Sequence, residues 1–420
     1  MICDRILIHF NELFQPNDPG HPLTGEELNK AQVLKNAFVG FKDGKIAAVG
    51  EGEAYKDYAD DKTEIEDYEG SVATPGLIDA HTHLVFGGSR ENEFAMKLEG
   101  MEYLDILNAG GGILSTLKAT KEASCEELYK KTKKLVEHMM VHGVTCVEAK
   151  SGYGNTWEIE EKELKVINNL GKDTPMEVVP TFMAAHVIPE SRKDNPDQYV
   201  DEVIDMMPKV MEKGYAEYCD VFCEKDVFTA EQSKRVLEAA REHGMKLRIH
   251  SNEIESIGGI EVANELKVTS AEHLMNISDK EIQLLADAQV IGNLLPGTTF
   301  SLLKDTYAPA RKMVEAGMPI TLCTDANPGS CPTANLQFIM QLGCMMMKLT
   351  PIEVLNCVTV NASYSVGREK TMGSLNPGKR GNLSIFDCRS LDYLLYFFAT
   401  NLCKAVYVDG KKVVKDRQWV

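Results

Sequence analysis

The stretch LIDAHTHLVF, residues 77–86, ends a short apolar run with two histidines. A run of this length and composition predicts a buried β-strand, and the polar end indicates that something gathers the imidazoles. His81 and His83 are separated by one residue, so in extended backbone both side chains point to the same side. This arrangement occurs in metal sites, although two histidines alone do not define one.

Further apolar runs of strand length follow, and helical segments separate them. With the first, the runs are GLIDAH, GVTCVEAK, MEVVPTFMAA, YCDVFCE, MKLRIH, KVTSAEH, QVIGNLLP and MPITLCTD. The helical segments 125–143 and 229–244 end in glycine, the usual helix stop. This alternation of strands and helices predicts an α/β fold with a (β/α)8 TIM-type barrel. The alternative is an open doubly wound sheet, which favours a glycine-rich phosphate turn after the first strand, and DAHTHLVFGGSR does not match GxGxxG.

Both ends of the chain are rich in β-strand patterns. ILIHF, AFVGFKDGKIAAVG and EIEDYEG near the N-terminus alternate apolar and polar residues, as do GNLSIFD and AVYVDGKKVV near the C-terminus. The Asp-Gly pairs are hairpin signals, and chain termini commonly lie close together. We therefore predict that residues 1–75 and 376–420 form one small β-sandwich domain and that residues 76–375 form the barrel.

Side chains able to do chemistry follow nearly every predicted strand. In chain order they are His81, His83, Arg90, Lys150, Tyr153, His186, Glu224, His250, Glu253, His273, Asp325 and Asn327. Active sites of (β/α)8 barrels lie at the C-terminal ends of the strands. The predicted metal ligands among them are His81, His83, His250 and Asp325. Three nitrogens and one oxygen suit Zn²⁺ or Fe²⁺, so we predict one divalent transition metal per chain, with an open position that holds a water molecule and lowers its pKa.

Composition argues against several classes of function. The 420 residues carry a formal net charge of −18, which argues against a nucleic-acid-binding surface. No apolar run approaches the roughly 20 residues that a membrane helix needs, and the charged segment MICDRILIHF is unlike a signal peptide. The eleven cysteines are scattered and odd in number, as expected of thiols in a reducing compartment. We predict a cytoplasmic protein without a nucleic-acid or membrane partner.

The motif TPGLIDAHTHL (74–84), the later TD (324–325) and the β-rich flanks resemble the amidohydrolase superfamily. Longer motifs between residues 74 and 385 are similar to those of the imidazolonepropionase family within it. They are HTHLVFGGSRENEF, AGGGI, EAKSGYG, CDVFCE, SAEHL, LLPGTTF and TDANPGSCPTANLQ. The resemblance implies hydrolysis of 4-imidazolone-5-propanoate to N-formimidoyl-L-glutamate in histidine degradation, with a cyclic amide opened by metal-bound water. Large barrels of this kind often dimerise, so we expect a homodimer.

The resemblance also implies roles for individual residues. The implied substrate-binding residues are Arg90, Tyr153, His186, Glu253, Asn327, Gly329 and Ser330. Arg90 would bind the propionate bidentately. Glu253 would take a proton from the water and pass it to the leaving nitrogen, and His273 would polarise the attacked carbonyl. Asp325 would bind the metal and orient the water, which completes the implied catalytic set.

Two departures and three alternatives accompany this resemblance. Ser251-Asn252 and Met183-Ala184 stand where the family usually has other residues, so the polarity around the ligands and the pocket shape should differ.

A carboxylated Lys150 could bridge two metals, but such a lysine usually follows the fourth strand of an amidohydrolase, so we expect one metal. Another cyclic amidohydrolase or a deaminase, acting on a purine, pyrimidine or hydantoin, would depend less on Arg90. A barrel kept only as an assembly scaffold would typically have lost its metal ligands.

Overall fold

The structure, a computed structural model, describes residues 1–101 and 111–420. Its central feature is a sheet of eight parallel strands whose order follows the sequence. Numbered in chain order after five strands nearer the N-terminus, they are β6 (Leu77–Asp79), β7 (Val144–Lys150), β8 (Glu177–Ala185), β9 (Tyr218–Cys223), β10 (Lys246–Ser251), β11 (Ser270–His273), β12 (Ile291–Leu294) and β13 (Ile320–Leu322). Each overlaps one of the predicted runs, and the predicted α/β barrel is confirmed.

The barrel closes between its first and last strands. Thr82 and Ala326 form a parallel bridge just beyond β6 and β13. The buried carboxylate of Asp79 accepts hydrogen bonds from the backbone N–H of Thr324, at 3.0 Å, and from its hydroxyl, at 2.6 Å. Closure therefore brings the carboxyl ends of β6 and β13 side by side, with the residues that follow each strand in contact.

Helices cover the outside of the barrel and connect its strands. In chain order the described helices are α1 (Glu91–Leu98), α2 (Ile113–Glu122), α3 (Cys125–Met140), α4 (Trp157–Asp173), α5 (Pro196–Glu212), α6 (Ala230–Glu242), α7 (Gly259–Leu266), α8 (Asp279–Ala288), α9 (Pro296–Ser301), α10 (Ala310–Glu315), α11 (Leu336–Met347), α12 (Pro351–Cys357), α13 (Val360–Ser365) and α14 (Leu391–Tyr396). Short 3-10 helices lie at Gly25–Asn29, Gly52–Tyr58 and Glu190–Arg192.

The helix α3 illustrates why these segments are helical. The Ser124 hydroxyl accepts the N–H of Glu127, and the Glu127 carboxylate accepts the N–H of Ser124, so two otherwise unpaired donors are satisfied. Leu128 and Val136 lie on the face that packs against the barrel and are fully buried. The chain then turns at Gly143, whose φ of 102° favours glycine.

Both chain ends contribute to one further sheet. Its strands are β1 (Arg5–Pro16), β2 (Ala31–Lys42), β3 (Lys45–Glu51), β4 (Glu64–Asp67), β5 (Val72–Pro75), β14 (Leu383–Phe386), β15 (Cys403–Val408), β16 (Lys411–Lys415) and β17 (Gln418–Trp419). The order is β17-β16-β15-β14-β5-β1-β2-β3, with β4 paired to β1. The antiparallel pairing of β5 with β14 joins the N-terminal part to the C-terminal part.

This sheet curls around its own core. In a flat sheet the four strand spacings between β2 and β15 would separate them by about 19 Å. The rings of Phe41 on β2 and Tyr407 on β15 are nevertheless 5.8 Å apart, and the hydroxyls of Tyr407 and Tyr68 are 2.8 Å apart. The two halves of the sheet therefore face each other, which is the arrangement of a sandwich, and the predicted small β domain from both chain ends is confirmed.

The predicted hairpins occur, and the two parts of the chain pack together. Asp43-Gly44 and Asp409-Gly410 connect paired strands with positive φ at both residues, as a type I′ turn requires. Leu23 is hydrogen-bonded through its N–H and C=O to the side chain of Asn361.

The domain boundaries 1–75, 76–375 and 376–420 stay predictions. Within the described ranges, none of the helices combines the length and apolar character that crossing a membrane requires.

Candidate metal centre and active site

The predicted metal ligands converge at the carboxyl ends of the barrel strands. His81 Nε2 lies 3.4 Å and His83 Nε2 3.5 Å from Asp325 Oδ1. His250 Nε2 lies 3.3 Å from His83 Nε2, and all four side chains are buried. Bonds of about 2.1 Å to a tetrahedral metal separate the ligand atoms by about 3.4 Å. The ligand atoms of His81, His83 and Asp325 all lie within 4.8 Å of one another, and those of His81, His250 and His273 form a second such group, so the spacing fits a metal ion held among these residues.

Two of the predicted metal-binding atoms make no hydrogen bond within the described part of the chain. His81 Nε2 and Asp325 Oδ1 are buried and have no hydrogen-bond partner there. A buried polar atom without a partner is costly, so these two atoms indicate that a cation belongs between them. The residues present thus fit the metal ion that the sequence predicts.

The other nitrogens of two of these histidines are fixed by carboxylates. His81 Nδ1 donates to Glu272 Oε2 at 2.8 Å, and His250 Nδ1 donates to Asp220 Oδ1 at 3.0 Å. Each bond leaves the Nε2 lone pair to face the cluster. Burial, assisted by the mutual repulsion of the imidazoles, lowers the pKa of His81, His83 and His250 well below the ordinary value. The imidazoles are therefore neutral and able to bind a cation.

Buried, positively charged side chains compensate the charge of these carboxylates. Arg248 Nη1 lies 3.5 Å from Glu272 Oε1, and the guanidinium covers the ring of Tyr218 at 4.4 Å. Lys150 Nζ donates to Glu148 Oε2 at 2.6 Å and lies 3.6 Å from Asp220 Oδ2. Lys150 thus forms an ion pair with the carboxylates behind the histidines.

Asp325 lies in a strained backbone conformation that aims its carboxylate. Its φ is 55°, a left-handed value that costs free energy for a residue with a side chain. The hydroxyl of Thr298 donates to Asp325 Oδ2 at 2.6 Å. One carboxylate oxygen is therefore held by Thr298, and the other faces the histidines.

Glu253 and His273 lie beside the cluster. Glu253 Oε2 is 3.5 Å from His273 Nε2, and one ring nitrogen of His273 lies within 4.8 Å of nitrogens of His81 and His250. Burial, and secondly the negative charge of Glu224, raises the pKa of Glu253 to about 7, while Lys304 opposes this. Burial lowers the pKa of His273. A carboxylate with a pKa near neutrality can both accept and release a proton at physiological pH.

Arg90 is fixed by its neighbours. Its Nε and Nη2 donate to the carboxylate of Glu93 at distances from 2.9 to 3.1 Å, and Glu93 also accepts the N–H of Gly112 at 2.8 Å. On the other side the backbone of Gly329 packs so closely that a Cβ there would lie 2.0 Å from Arg90 Nη1. The guanidinium is therefore oriented by the protein itself.

Two further predicted residues lie against the histidines. The His186 ring stacks on that of His83 at 4.9 Å with their planes 24° apart, and the Tyr153 ring is tilted by 56° against His186 at 5.2 Å. His186 Nδ1 donates to the carbonyl of Gly152 at 3.1 Å. Burial lowers the pKa of His186 to about 3 and raises that of Tyr153, so both rings are uncharged. They form one wall beside the metal cluster.

The turn after Asp325 is held by hydrogen bonds between its own side chains and backbone. Asn327 Oδ1 accepts the N–H groups of Gly329 and Ser330, each at 2.8 Å, and Asn327 Nδ2 donates to the Asp325 carbonyl at 2.7 Å. Ser330 Oγ lies 3.4 Å from Asp325 Oδ2. Asn327 therefore shapes the turn, and any contact with a ligand ring requires exchange of these bonds.

Several residues that contact the predicted site were missed by the sequence analysis. They are Glu93, Glu148, Asp220, Glu272 and Thr298. Asp220 and Glu272 carried a usable signal, because a carboxylate within an apolar strand is costly to bury unless it has a buried partner. Thr298 carried none, since a threonine is ordinary in any loop.

The fold and the cluster together define the class of protein. The sequence model of the amidohydrolase family matches residues 72–415, and the chain belongs to that family. Within it, the chain falls among relatives named imidazolonepropionase, as its motifs indicated. Those from Streptococcus pyogenes serotype M6 and Streptococcus gordonii are each 59% identical to it over 415 residues, which is 99% of this chain and 99% of each relative.

Solved structures share the fold at low sequence identity. An adenosine deaminase from Xanthomonas campestris with bound zinc has a TM-score of 0.75 and 16% identity, covering 100% of this chain and 94% of that one. Guanine deaminase from E. coli has a TM-score of 0.75 and 14% identity, covering 98% and 99%. At this identity the likeness concerns the fold alone.

Proposed function

We propose that this chain hydrolyses 4-imidazolone-5-propanoate to N-formimidoyl-L-glutamate in histidine degradation. The 59% identity to relatives named imidazolonepropionase over nearly the whole chain supports this substrate. The structural observation that carries the proposal is the metal cluster with Glu253 and His273 beside it and a fixed guanidinium, Arg90, against the turn that follows Asp325. Together these groups suit a cyclic amide that carries a carboxylate.

The ligands of the metal in this proposal are His81, His83, His250 and Asp325. One ion per chain, Zn²⁺ or Fe²⁺, suits three nitrogens and one oxygen, and the contacts of 3.3 to 3.5 Å among these atoms support this part of the proposal. When bound, it supplies Lewis acidity and lowers the pKa of a nearby water molecule. Glu272 and Asp220 keep two of the imidazoles in the tautomer that binds the ion.

Glu253 acts as the proton carrier in this proposal. Its carboxylate accepts a proton from the water that adds to the ring carbonyl carbon, and returns that proton to the ring nitrogen as the carbon–nitrogen bond breaks. His273, 3.5 Å from Glu253, hydrogen-bonds the carbonyl oxygen as negative charge develops on it. Asp325 Oδ1 faces the same space and orients the water.

The propionate of the substrate is assigned to Arg90. Glu93 engages Nε and one N–H of Nη2, so the substrate carboxylate would use the second N–H of Nη2 and the N–H groups of Nη1, next to the Gly329 backbone. Tyr153 and His186 form a wall for the planar ring, and Asn327, Gly329 and Ser330 border it from the turn. A deaminase or hydantoin hydrolase acting on an uncharged ring would depend less on this guanidinium.

The decisive experiment measures imidazolone consumption. Metal-loaded protein is expected to abolish the absorbance of freshly made 4-imidazolone-5-propanoate and to form N-formimidoyl-L-glutamate in equal amount. Treatment with a chelator should remove about one metal per chain and the activity together, and Zn²⁺ or Fe²⁺ should restore it. Full activity in metal-free protein, or turnover of a purine or hydantoin in place of the imidazolone, would contradict the proposal.

Two further parts of the proposal concern the protein as a whole. We expect a homodimer, to be measured by sedimentation equilibrium, and a location in the cytoplasm, to be measured by cell fractionation. Each rests on the sequence and on the family alone.

A further inference from the structure

Glu224 is a buried carboxylate that serves the loop after the neighbouring strand. It directly follows β9 and is only 1% exposed. Its Oε2 accepts the backbone N–H groups of Glu253 and Ile254, each at 3.0 Å, and its Oε1 accepts that of Glu255 at 2.9 Å. Oε1 also accepts the N–H of Lys225 at 2.9 Å. Four backbone donors, three of them successive, therefore meet one carboxylate.

This arrangement requires a carboxylate in particular. An ionised glutamate has two oxygens that only accept, so it can satisfy four N–H groups at once. Glutamine would replace one oxygen with an NH₂ group, and this donor would face backbone N–H groups that are donors too. Hydrogen bonds from backbone N–H groups to a charged acceptor are also stronger than those to a neutral one. The successive N–H groups of residues 253–255 thus form a concave anion site, which Glu224 fills.

The opposite edge of the same loop is also fixed. Asn276 Nδ2 donates to the carbonyls of Glu253 and Ile254 at 2.9 and 3.0 Å, and the N–H of Asn276 donates to the carbonyl of Asn252 at 2.8 Å. With its backbone bonded on both edges, the loop directs the Glu253 side chain towards His273, while Ile254 is 60% exposed.

We propose that Glu224 is a positioning residue, which fixes the backbone of residues 253–255 and thereby sets where the Glu253 carboxylate lies. The inference rests on the proposed function, since it is Glu253 that carries the proton there. A shift of about 1 Å in a reacting group can cost about 100-fold in rate. The carboxylate oxygens of Glu224 accept backbone N–H groups of residues 225 and 253–255, so the link from Glu224 to Glu253 runs through the backbone of this loop.

The test uses Glu224→Gln in the full-length, metal-loaded protein. The kcat for the imidazolone should fall about 10- to 100-fold, with KM within about twofold of wild type and the metal content unchanged. Hydrogen exchange at the N–H groups of residues 253–255 should become faster than in wild type. Unchanged kcat, or unchanged exchange at these three positions, would overturn the proposal.

Glu353→Gln is the matched control. Glu353 is equally buried and accepts the N–H of Thr350 at 2.7 Å, but it pairs with Arg311 on the outside of the barrel. Its replacement should leave kcat as in wild type. An equal loss of kcat in both variants would assign the effect to general destabilisation and overturn the proposal.

A double variant separates positioning from an independent role. Glu224→Gln should reduce kcat no further in protein that already carries Glu253→Gln, because both changes act on the same carboxylate. Additive losses would overturn the proposal. If Glu224→Gln does not fold, Glu224→Asp keeps the charge but withdraws it by one methylene, and the same measurements apply. A wild type that leaves the imidazolone intact contradicts the proposed function, whereas the exchange rates still decide whether Glu224 fixes the loop.

Discussion

His81 Nδ1 donates to Glu272 Oε2 at 2.8 Å, and the two fully buried residues are 191 positions apart in the chain. This bond determines which nitrogen of His81 faces the metal cluster. Glu272 in turn accepts the hydroxyl of Ser270 and lies 3.5 Å from Arg248. The orientation of a ligand from the first barrel strand thus depends on a carboxylate from the sixth.

The variant Glu272→Gln tests this dependence. It keeps the size of the side chain but removes the charge that the His81 N–H donates to, so we expect metal affinity to fall about 10- to 100-fold. Chelator competition measures the affinity. Asp220→Asn should act in the same way through His250, and unchanged affinity in both variants would contradict this account.

Replacing Glu253 by glutamine separates metal binding from turnover. Because the Glu253 carboxylate is not among the four facing ligand atoms, the metal should remain bound. The kcat should fall about 100- to 10,000-fold, the usual contribution of a positioned proton carrier. Metal analysis and initial rates on the imidazolone measure the two quantities, and a variant with near wild-type kcat would exclude Glu253 from proton transfer.

The pKa of Glu253 also predicts a pH profile. Burial and the charge of Glu224 raise it to about 7, so the carboxylate is protonated below that pH. Glu253 must be ionised to accept a proton from water, so kcat/KM should fall as pH decreases through about 7, approaching tenfold per pH unit. An acidic limb near the ordinary glutamate pKa would show that the buried environment does not act as described.

Gly329→Ala tests the packing around Arg90. The added Cβ would lie 2.0 Å from Arg90 Nη1, so the guanidinium must move, and KM for the propionate-bearing substrate should rise about tenfold or more. Gly171→Ala is the control, since its Cβ would meet no atom closer than 3.5 Å and lies within α4. Equal KM values in the two variants would argue against a fixed Arg90.

The barrel and the convergence of His81, His83, His250 and Asp325 could be predicted because both follow from periodic or local patterns. Strands such as VTCVEAK are rich in apolar residues and buried along their whole length, and residues that follow such strands must meet at one end of a barrel. Residues of types that bind metals and that stand at those ends, such as His81 and His250, are therefore predicted to lie close together.

The partners of these ligands could not be predicted with the same ease. Which of the buried acids, Glu148, Asp220 or Glu272, faces which histidine depends on strand tilt and side-chain rotamers, and no sequence spacing encodes these. Likewise nothing in the sequence distinguishes Glu224, a carboxylate that binds backbone N–H groups, from one that faces the ligand. Asn327 was implied to bind the substrate, and no sequence pattern indicated that its amide would also be hydrogen-bonded within its own turn.

Closure of the barrel has a consequence for how the protein is made. Asp79 and Thr324, which join the first and last strands, are 245 residues apart. A chain growing on the ribosome exposes His81 and His83 early, but their carboxylate partner Asp325 emerges only when most of the protein has been synthesised. Until then the two imidazoles lack the Asp325 carboxylate, so we expect the complete set of proposed metal ligands to form only after the last strand has docked.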